Sequence, residues 1–143
     1  MPEKIKVALV GLGNCFSGLI QGIEYYSKNP SQKVTGIIHE NLRDYTIHDI
    51  EFVAGFDVGA NKVGKPINDA IYESPNMVNW IDKNDMPKAN GNVYESPALD
   101  GVGIWVENKV KPIESGKSES ELREEIIKVL KETGTEIIVS YLP

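Results

Sequence analysis

The sequence of 143 residues predicts an α/β fold built on a partial doubly wound parallel sheet. Two observations support this fold class. Short, apolar, β-branched runs alternate along the chain with stretches of helical periodicity, which is typical of parallel βαβ units. A glycine turn, Gly11-Leu12-Gly13, joins the first of these runs directly to the first helical stretch. The length corresponds to one domain rather than two.

The first strand is predicted over residues 5–10, because this run is short, apolar and followed at once by glycine. The helix after the glycine turn is indicated by an apolar stripe at i, i+3, i+4 and i+7, formed by Phe16, Leu19, Ile20 and Ile23. Asn29-Pro30 marks its end. Strand, turn and helix therefore follow in the order of a βα unit.

The middle of the chain is less regular. Residues 31–49 have no sustained period and are expected to form an excursion or long loop. A second strand is predicted over residues 50–58, and a short helix over 66–72 with Pro66 in its first turn. A brief strand is expected at residues 91–95, and prolines and glycines indicate loop elsewhere between 73 and 118.

The last third predicts a helix followed by a strand. Ser118 and Glu121 match a capping box, and Gly134 is suited to ending the helix. The apolar stripe between them consists of Leu122, Ile126, Val129 and Leu130. Residues 135–141 then predict another buried strand. The chain stops just after this apolar run, so we expect residues 1–143 to be an incomplete domain.

Composition excludes several classes of function. Lys and Arg total 15 against 21 for Asp and Glu, which gives a net charge of −6. An acidic chain without basic blocks argues against binding to nucleic acid or to an anionic membrane. No apolar run approaches the ~20 residues of a membrane span, and the N-terminus lacks a signal peptide's apolar segment. The single cysteine, Cys15, fits a reducing cytoplasm.

The glycine turn predicts a dinucleotide site on a Rossmann-like sheet. Gly11 would permit the tight turn, Gly13 would let the backbone approach a pyrophosphate, and N–H groups near Asn14 and Cys15 would face the phosphates. The third glycine of the usual fingerprint is replaced by Phe16. An ordinary strand–helix turn without a ligand is the alternative.

Asp57 adds a second element to this site. An acid at the end of the second strand can accept hydrogen bonds from the adenosine ribose, and it would repel a 2′-phosphate, which favours NAD over NADP. It lies more than twice as far after Gly13 as the usual ~20 residues, so the excursion must absorb the difference. A solvated aspartate at a strand end is the alternative.

The end of the last strand completes the candidate site. If that strand lies across the switch point from the first, Ser140, Tyr141 and Leu142 line the crevice beside the glycine turn. A simple strand end without a ligand is equally compatible with the pattern.

The remaining candidates for chemistry are weak. Cys15, in the first turn of a helix, is interpreted as a small packing residue beside the cofactor rather than as a nucleophile. His39 and His48 lie among carboxylates in the aperiodic stretch, where solvated histidines are more common than metal ligands. We therefore predict no metal site and assign no catalytic residue.

Several ordered blocks resemble the start of prokaryotic-type myo-inositol-1-phosphate synthases (inositol-3-phosphate synthases). These blocks cover nearly the whole chain and are more specific than the glycine turn alone. They lie at residues 11–15, 21–26, 48–54, 56–58, 62–64, 69–71, 99–101 and 139–143.

The resemblance implies a cytoplasmic, NAD-dependent isomerase (an intramolecular lyase) of inositol and phospholipid biosynthesis. Such enzymes convert D-glucose 6-phosphate to 1D-myo-inositol 3-phosphate by internal oxidation, aldol cyclisation and reduction, and form homo-oligomers, tetramers in this family. By the same resemblance, the pyrophosphate would be held by Gly11, Gly13, Asn14 and Cys15. Asp57 would hold the adenosine ribose, and the dinucleotide would lie against Ser140, Tyr141 and Leu142.

The resemblance also implies that this chain is the N-terminal NAD-binding portion only. The family's catalytic lysines, phosphate-binding residues and oligomerisation sheet follow the Tyr-Leu-Pro segment at which this sequence stops. The chain alone is therefore expected to be inactive and to need a C-terminal half or second polypeptide. Two alternatives stay open: a stand-alone nucleotide-binding or regulatory module, and a fragment of another NAD-dependent dehydrogenase.

Overall fold

The computed structural model describes residues 3–29, 36–99 and 101–142. Its centre is a four-stranded, all-parallel sheet with strand order β3-β2-β1-β4. The strands are β1 (Ile5–Val10), β2 (Ile50–Asp57), β3 (Asn92–Glu95) and β4 (Ile137–Ser140). The helices are α1 (Asn14–Lys28), α2 (Ile67–Ala70) and α3 (Glu119–Thr133), with 3₁₀ turns at Ile47–Asp49 and Lys83–Asp85.

The order of the strands reverses beside β1. Chain order runs outward from β1 to β2 and β3, and then returns to place β4 on the opposite side. The register sets Val10 level with Phe56 on one side and with Ser140 on the other. The carboxyl ends of three strands therefore meet where a doubly wound sheet binds its ligands.

Helices cover both faces of this sheet. On one face α1 and α2 enclose the larger core, and its fully buried large side chains include Leu9, Leu12, Phe16, Ile67 and Ile71. On the other face α3 packs through Ile126, Val129 and Leu130 against Ala8, Ala54 and Phe56. The predicted α/β class and its doubly wound arrangement are confirmed.

Most predicted elements are found near their predicted places. β1 has the predicted bounds, α1 begins directly after Gly13, and the strand predicted over 50–58 ends at Asp57. The capping box of α3 is present, with the Ser118 side chain accepting from the Glu121 N–H and the Glu121 side chain accepting from the Ser118 N–H. Gly134 ends the helix in the left-handed conformation, at φ 65°. Pro30 of the predicted helix end, residues 31–35 of the predicted excursion, and Asp100 and Pro143 of the resembling blocks lie outside the described residues.

The prediction that the last strand is buried is wrong. β4 is shorter than expected, and Ile137 and Ile138 are 47% and 54% exposed. The physical reason is its place at the edge of the sheet, where no strand among the described residues pairs with its outer side. The apolar run was correctly identified as a strand, but its composition could not tell an edge from the interior.

Candidate functional site

The glycine turn lies at the switch point and leads directly into α1. The Gly11 N–H donates to the Phe56 carbonyl at 2.8 Å, and the Gly13 N–H donates to the Gly11 carbonyl at 2.9 Å. Gly11 has a φ of 78°, which favours glycine. Gly13 precedes the first residue of α1, and no side chain caps the helix there. The start of α1 is thus left to backbone N–H groups, which suit an anion.

The space beside Gly13 is open, whereas the space beside Gly11 is filled. A Cβ built on Gly13 would meet nothing within 4 Å, but one on Gly11 would lie 2.6 Å from Cδ2 of Leu142. A ligand can therefore approach the backbone at Gly13 without displacing protein atoms. An open approach to the backbone is the property that the glycine motif predicts for Gly13.

Leu12, between the two glycines, has both backbone polar groups held by distant side chains. Its N–H donates to Oδ2 of Asp57 at 2.8 Å. Its carbonyl accepts from Nζ of Lys62 at 2.7 Å and from Nδ2 of Asn76 at 2.9 Å. We call Asp57, Lys62 and Asn76 the Leu12 clamp. Asp57 is the last residue of β2, Lys62 follows β2 and Asn76 follows α2, and all three meet the glycine turn through long-range contacts.

Asp57 lies beside the glycine turn, as predicted, but it is buried rather than solvated. It is 9% exposed, so the alternative of a solvated strand-end aspartate is wrong. Oδ2 accepts from Leu12, and Oδ1 accepts from the Gly59 N–H at 2.8 Å. Each carboxylate oxygen keeps one further lone pair, and its role toward a ribose stays a prediction.

Lys62 and Asn76 were missed by reasoning from the sequence. Lys62 is 5% exposed, and its Nζ lies 3.9 Å from Oδ2 of Asp57. Burial lowers the pKa of the Lys62 ammonium, and the charges of Asp57 and Glu73 offset part of that effect. A lysine in a polar turn is usually solvated, so no local pattern marks this one as buried.

Asn14 and Cys15 both lie at the start of α1, as predicted. The Asn14 side chain accepts from the Met77 N–H at 2.7 Å and so fixes the segment that follows α2. Cys15 is exposed and unbridged. Cys15 is therefore not part of the protein core, and its packing against a cofactor stays a prediction.

The three residues predicted at the end of the last strand lie beside the glycine turn. The Tyr141 ring is 4.6 Å from the Phe16 ring, between ring centroids, and Leu142 packs on Gly11. The Leu142 N–H donates to Oγ of Ser140 at 3.3 Å. Tyr141 and Leu142 remain 55% and 60% exposed. The structure thus brings the predicted residues of both sides together around one turn.

Phe16 explains how the fingerprint dispenses with its third glycine. The side chain is fully buried in the core under α1, and it contacts Tyr141 at the end of β4. A large apolar residue at this place therefore packs the helix onto the sheet without entering the space beside Gly13.

A cavity of about 310 Å³ opens near the same edge, beyond β2 and β3. It lies between the loop after β3 and the start of α3, and Ser96 at its rim donates its N–H to the Asp57 carbonyl at 3.0 Å. The residues that line it include Glu95, Pro97, Leu99, Pro112 and Leu122. The hydrogen bond from Ser96 connects the wall of the cavity to Asp57, which lies beside the glycine turn.

The two histidines are not part of a cluster of metal-ligating side chains in the part of the chain that the structure describes. His48 Nδ1 lies 3.0 Å from the Ser27 hydroxyl, at the amino end of the sheet. No group of three or more His, Cys, Asp or Glu residues is placed to hold a metal ion among residues 3–29, 36–99 and 101–142.

Within these ranges there is also no helix with the length and apolar character to cross a membrane.

The fold and the turn define an α/β domain of the Rossmann-like type. Two solved structures share this fold. The crystal structure of Ari2 superposes with a TM-score of 0.75 and 27% identity, over 99% of this chain and 39% of that one. A myo-inositol-1-phosphate synthase-related protein from Thermotoga maritima superposes with a TM-score of 0.73 and 20% identity, over 97% and 34%.

The chain is also similar in sequence to proteins named inositol-3-phosphate synthase. Inositol-3-phosphate synthase of Mycolicibacterium smegmatis is 39% identical over 141 residues, which cover 98% of this chain and 37% of that protein. The corresponding proteins of Mycobacterium tuberculosis and Corynebacterium glutamicum are 38% and 40% identical, over 36% of their lengths. No family model matches the chain. The chain is thus homologous to a portion, just over a third, of the inositol-3-phosphate synthases, as the sequence resemblance predicted.

Proposed function

We propose that this chain is the NAD-binding portion of an inositol-3-phosphate synthase, which converts D-glucose 6-phosphate to 1D-myo-inositol 3-phosphate. The observation that carries the proposal is 38–40% identity, over 97–98% of the chain, to proteins of that name. The open glycine turn at the switch point supports the same conclusion, because dinucleotides bind there in sheets of this type.

NAD fits the groups present at the turn. Gly11, Gly13, Asn14 and Cys15 would hold the pyrophosphate at the start of α1, where no side chain caps the helix and the space beside Gly13 is open. When bound, NAD would supply the acceptor and donor of hydride for the internal oxidation and reduction. The role of the chain is to bind and orient the dinucleotide.

The two ends of the dinucleotide would lie on opposite sides of the turn. Asp57 would accept a hydrogen bond from a ribose hydroxyl through its remaining lone pairs, and its negative charge would disfavour a 2′-phosphate. The adenine would then point toward the cavity beyond β3. Ser140, Tyr141 and Leu142 would line the other side, beside the nicotinamide end. NAD rather than NADP is therefore the proposed cofactor.

The catalytic groups are proposed to come from a second segment. We assign no catalytic residue to this chain, because no match to a catalytic lysine of the resembling enzymes is found among Lys4, Lys6, Lys62, Lys65 and Lys109. The chain spans 36–37% of the length of its relatives, and β4 offers an exposed apolar edge through Ile137 and Ile138. A C-terminal half or second polypeptide would pair along this edge. The assembled enzyme is proposed to be a cytoplasmic homo-oligomer.

The test is reconstitution. The chain is mixed with a polypeptide corresponding to the remaining part of the relatives, NAD binding is followed by calorimetry, and product formation from glucose 6-phosphate is assayed. We expect product only from the mixture. Product from the chain alone would contradict the division of labour, and tight NAD binding by the chain with no turnover in any mixture would favour a stand-alone nucleotide-binding module.

A pair of glycine variants isolates the cofactor site. Gly13→Val should abolish NAD binding without unfolding the chain, because Gly13 has an extended backbone and open space for a side chain. Gly18→Ala is the matched control: it also has open space but lies inside α1, so it should leave NAD binding unchanged. Wild-type NAD affinity in the Gly13→Val assembly would remove the turn from the site.

A further inference from the structure

Lys62 is a buried cation without a part in the binding groups assigned above. Lysines are almost never fully buried unless their ammonium is paired. Nζ of Lys62 donates to the Leu12 carbonyl at 2.7 Å and to Oδ1 of Asn76 at 3.3 Å, and it lies 3.9 Å from Oδ2 of Asp57. The ammonium thus makes two hydrogen bonds and one longer ion pair.

Asn76 completes the contact from another part of the chain. Its side-chain nitrogen donates to the Leu12 carbonyl at 2.9 Å and to the Ile71 carbonyl at 2.9 Å, while its oxygen accepts from Lys62. Asn76 is therefore fixed to the end of α2 as well as to the turn. Both polar atoms of the Asn76 side chain are thus hydrogen-bonded, the nitrogen to Leu12 and Ile71 and the oxygen to Lys62.

The contact is directed at Leu12, the one residue of the glycine turn that has a side chain. Gly11 and Gly13 have no side chains by which the fold could hold them, and glycine samples more backbone conformations than any other residue. Leu12 is fully buried and has its N–H and carbonyl both engaged by the Leu12 clamp. Fixing this one residue restricts the backbone on both sides of it.

We infer that Lys62 and Asn76 are positioning residues for the dinucleotide, which hold the glycine turn in its binding conformation through the Leu12 carbonyl. The inference rests on the proposed function, since it takes the turn to be the NAD site. A turn ordered before the ligand arrives spares the binding step the cost of ordering it. Neither residue needs to touch NAD to raise its affinity.

The experiment compares Lys62→Met, Lys62→Gln and Asn76→Ala with the wild type. In the chain alone, hydrogen exchange of the Leu12 amide should speed up by about tenfold in Lys62→Met, while amides in the centre of β1 keep their protection. In the reconstituted assembly, NAD affinity should fall by about tenfold. Lys62→Gln keeps an N–H donor and should recover part of both losses.

Lys65→Met is the matched control. Lys65 lies three residues after Lys62 in the same segment between β2 and α2, but its side chain is 41% exposed and pairs with Glu73 at 2.6 Å. It should change neither the Leu12 exchange rate nor the NAD affinity. Asn76→Ala keeps the test decisive if Lys62→Met fails to fold, because it removes a donor to Leu12 without leaving a charge unpaired.

The outcomes separate this inference from the proposed function. If the wild-type assembly binds NAD and both Lys62→Gln and Asn76→Ala bind it with wild-type affinity, the inference is overturned and the proposed function stands. If the wild-type assembly binds no NAD, the proposed function fails and the positioning role falls with it. Selective loosening of Leu12 together with weaker NAD binding supports both.

Discussion

The two sides of the glycine turn are built differently. On the β2 side, Asp57 and Lys62 of the Leu12 clamp are buried and Asn76 is half-buried. The ammonium, carboxylate and amide groups of the clamp are bonded to one another or to the backbone. On the β4 side, the contacts are apolar and open to solvent: Tyr141 lies on Phe16, Leu142 lies on Gly11, and both are more than half exposed. One side is held by polar groups within the described residues, and the other leaves apolar side chains exposed.

This difference predicts which substitutions affect folding and which affect binding. A buried charge left without its partner costs several kcal/mol, because it can regain neither water nor a hydrogen bond. An exposed apolar side chain has little to lose in the isolated chain. Changes on the β2 side should therefore appear first as lost stability, and changes on the β4 side as lost affinity.

The largest effect is expected for Asp57→Ala. It leaves the Lys62 ammonium unpaired and removes the acceptors of the Leu12 and Gly59 N–H groups. We expect a loss of about 3–5 kcal/mol in the free energy of unfolding, measured by urea denaturation. The control is Glu132→Ala, whose exposed pair with Lys128 at 3.8 Å should contribute less than about 1 kcal/mol. Similar losses for the two variants would contradict the comparison.

The second effect is a pH dependence that follows from Lys62. Its pKa is lowered from 10.5 by burial, although Asp57, at the end of β2, and Glu73, beyond α2, both act to raise it. Between the lowered pKa and 10.5 the unfolded chain binds more protons than the folded one, so the free energy of unfolding rises with pH in this window. Its slope cannot exceed about 1.4 kcal/mol per pH unit for one group.

The measurement is the difference between wild type and Lys62→Met in urea melts along a series of alkaline pH values. Taking the difference removes the contributions of groups common to both proteins, such as Tyr72, whose pKa is raised by burial. We expect the free energy of unfolding of the wild type, minus that of Lys62→Met, to increase as pH rises toward 10.5. A difference that decreases with pH instead would show that folding raises the pKa of Lys62.

The third effect concerns the helix that leads to β4. Ser118→Ala removes the side chain that accepts the Glu121 N–H, and helix caps of this kind contribute about 1 kcal/mol. Hydrogen bonds from the Ser118 side chain and then from its backbone N–H lower the pKa of the Glu121 carboxyl. The cap is therefore fully formed above the carboxyl's ordinary pKa and is lost as pH falls through the lowered one. Urea melts at neutral and acidic pH should show the Ser118→Ala loss shrinking in acid. A loss that stays constant would contradict the capping box.

The features of this fold that could be predicted are those with local signals. The cap of α3 and the glycine turn are each encoded within a few residues, and both were found. The helix α1 was also found, but of its predicted apolar stripe only Phe16 and Ile20 are buried, whereas Leu19 is 37% exposed. The ordered blocks that resemble inositol-3-phosphate synthases supplied the remaining predicted site residues around the turn. Local patterns also gave the correct alternation of strands and helices, from which the parallel sheet follows.

The features that could not be predicted depend on contacts between distant residues. Lys62 and Asn76 reach Leu12 across 50 and 64 positions of the chain, and neither carries a sign that it is buried. The exposure of β4 was missed for a related reason. An apolar run favours a strand, but only the order of strands in the sheet decides which strand lies at the edge.

The smallest effect on stability is expected for Leu142→Ala, which is the sharpest test of the difference between the two sides. Leu142 is 60% exposed, so its truncation should change the free energy of unfolding by less than about 0.5 kcal/mol. It also packs on Gly11, so the same change should weaken NAD binding in the reconstituted assembly by several-fold. Ser118→Ala should do the reverse, lowering stability while the folded protein keeps its affinity. Calorimetry with NAD beside urea melts distinguishes the two, and a Leu142→Ala loss as large as that of Asp57→Ala would show that the β4 side is as firmly built as the β2 side.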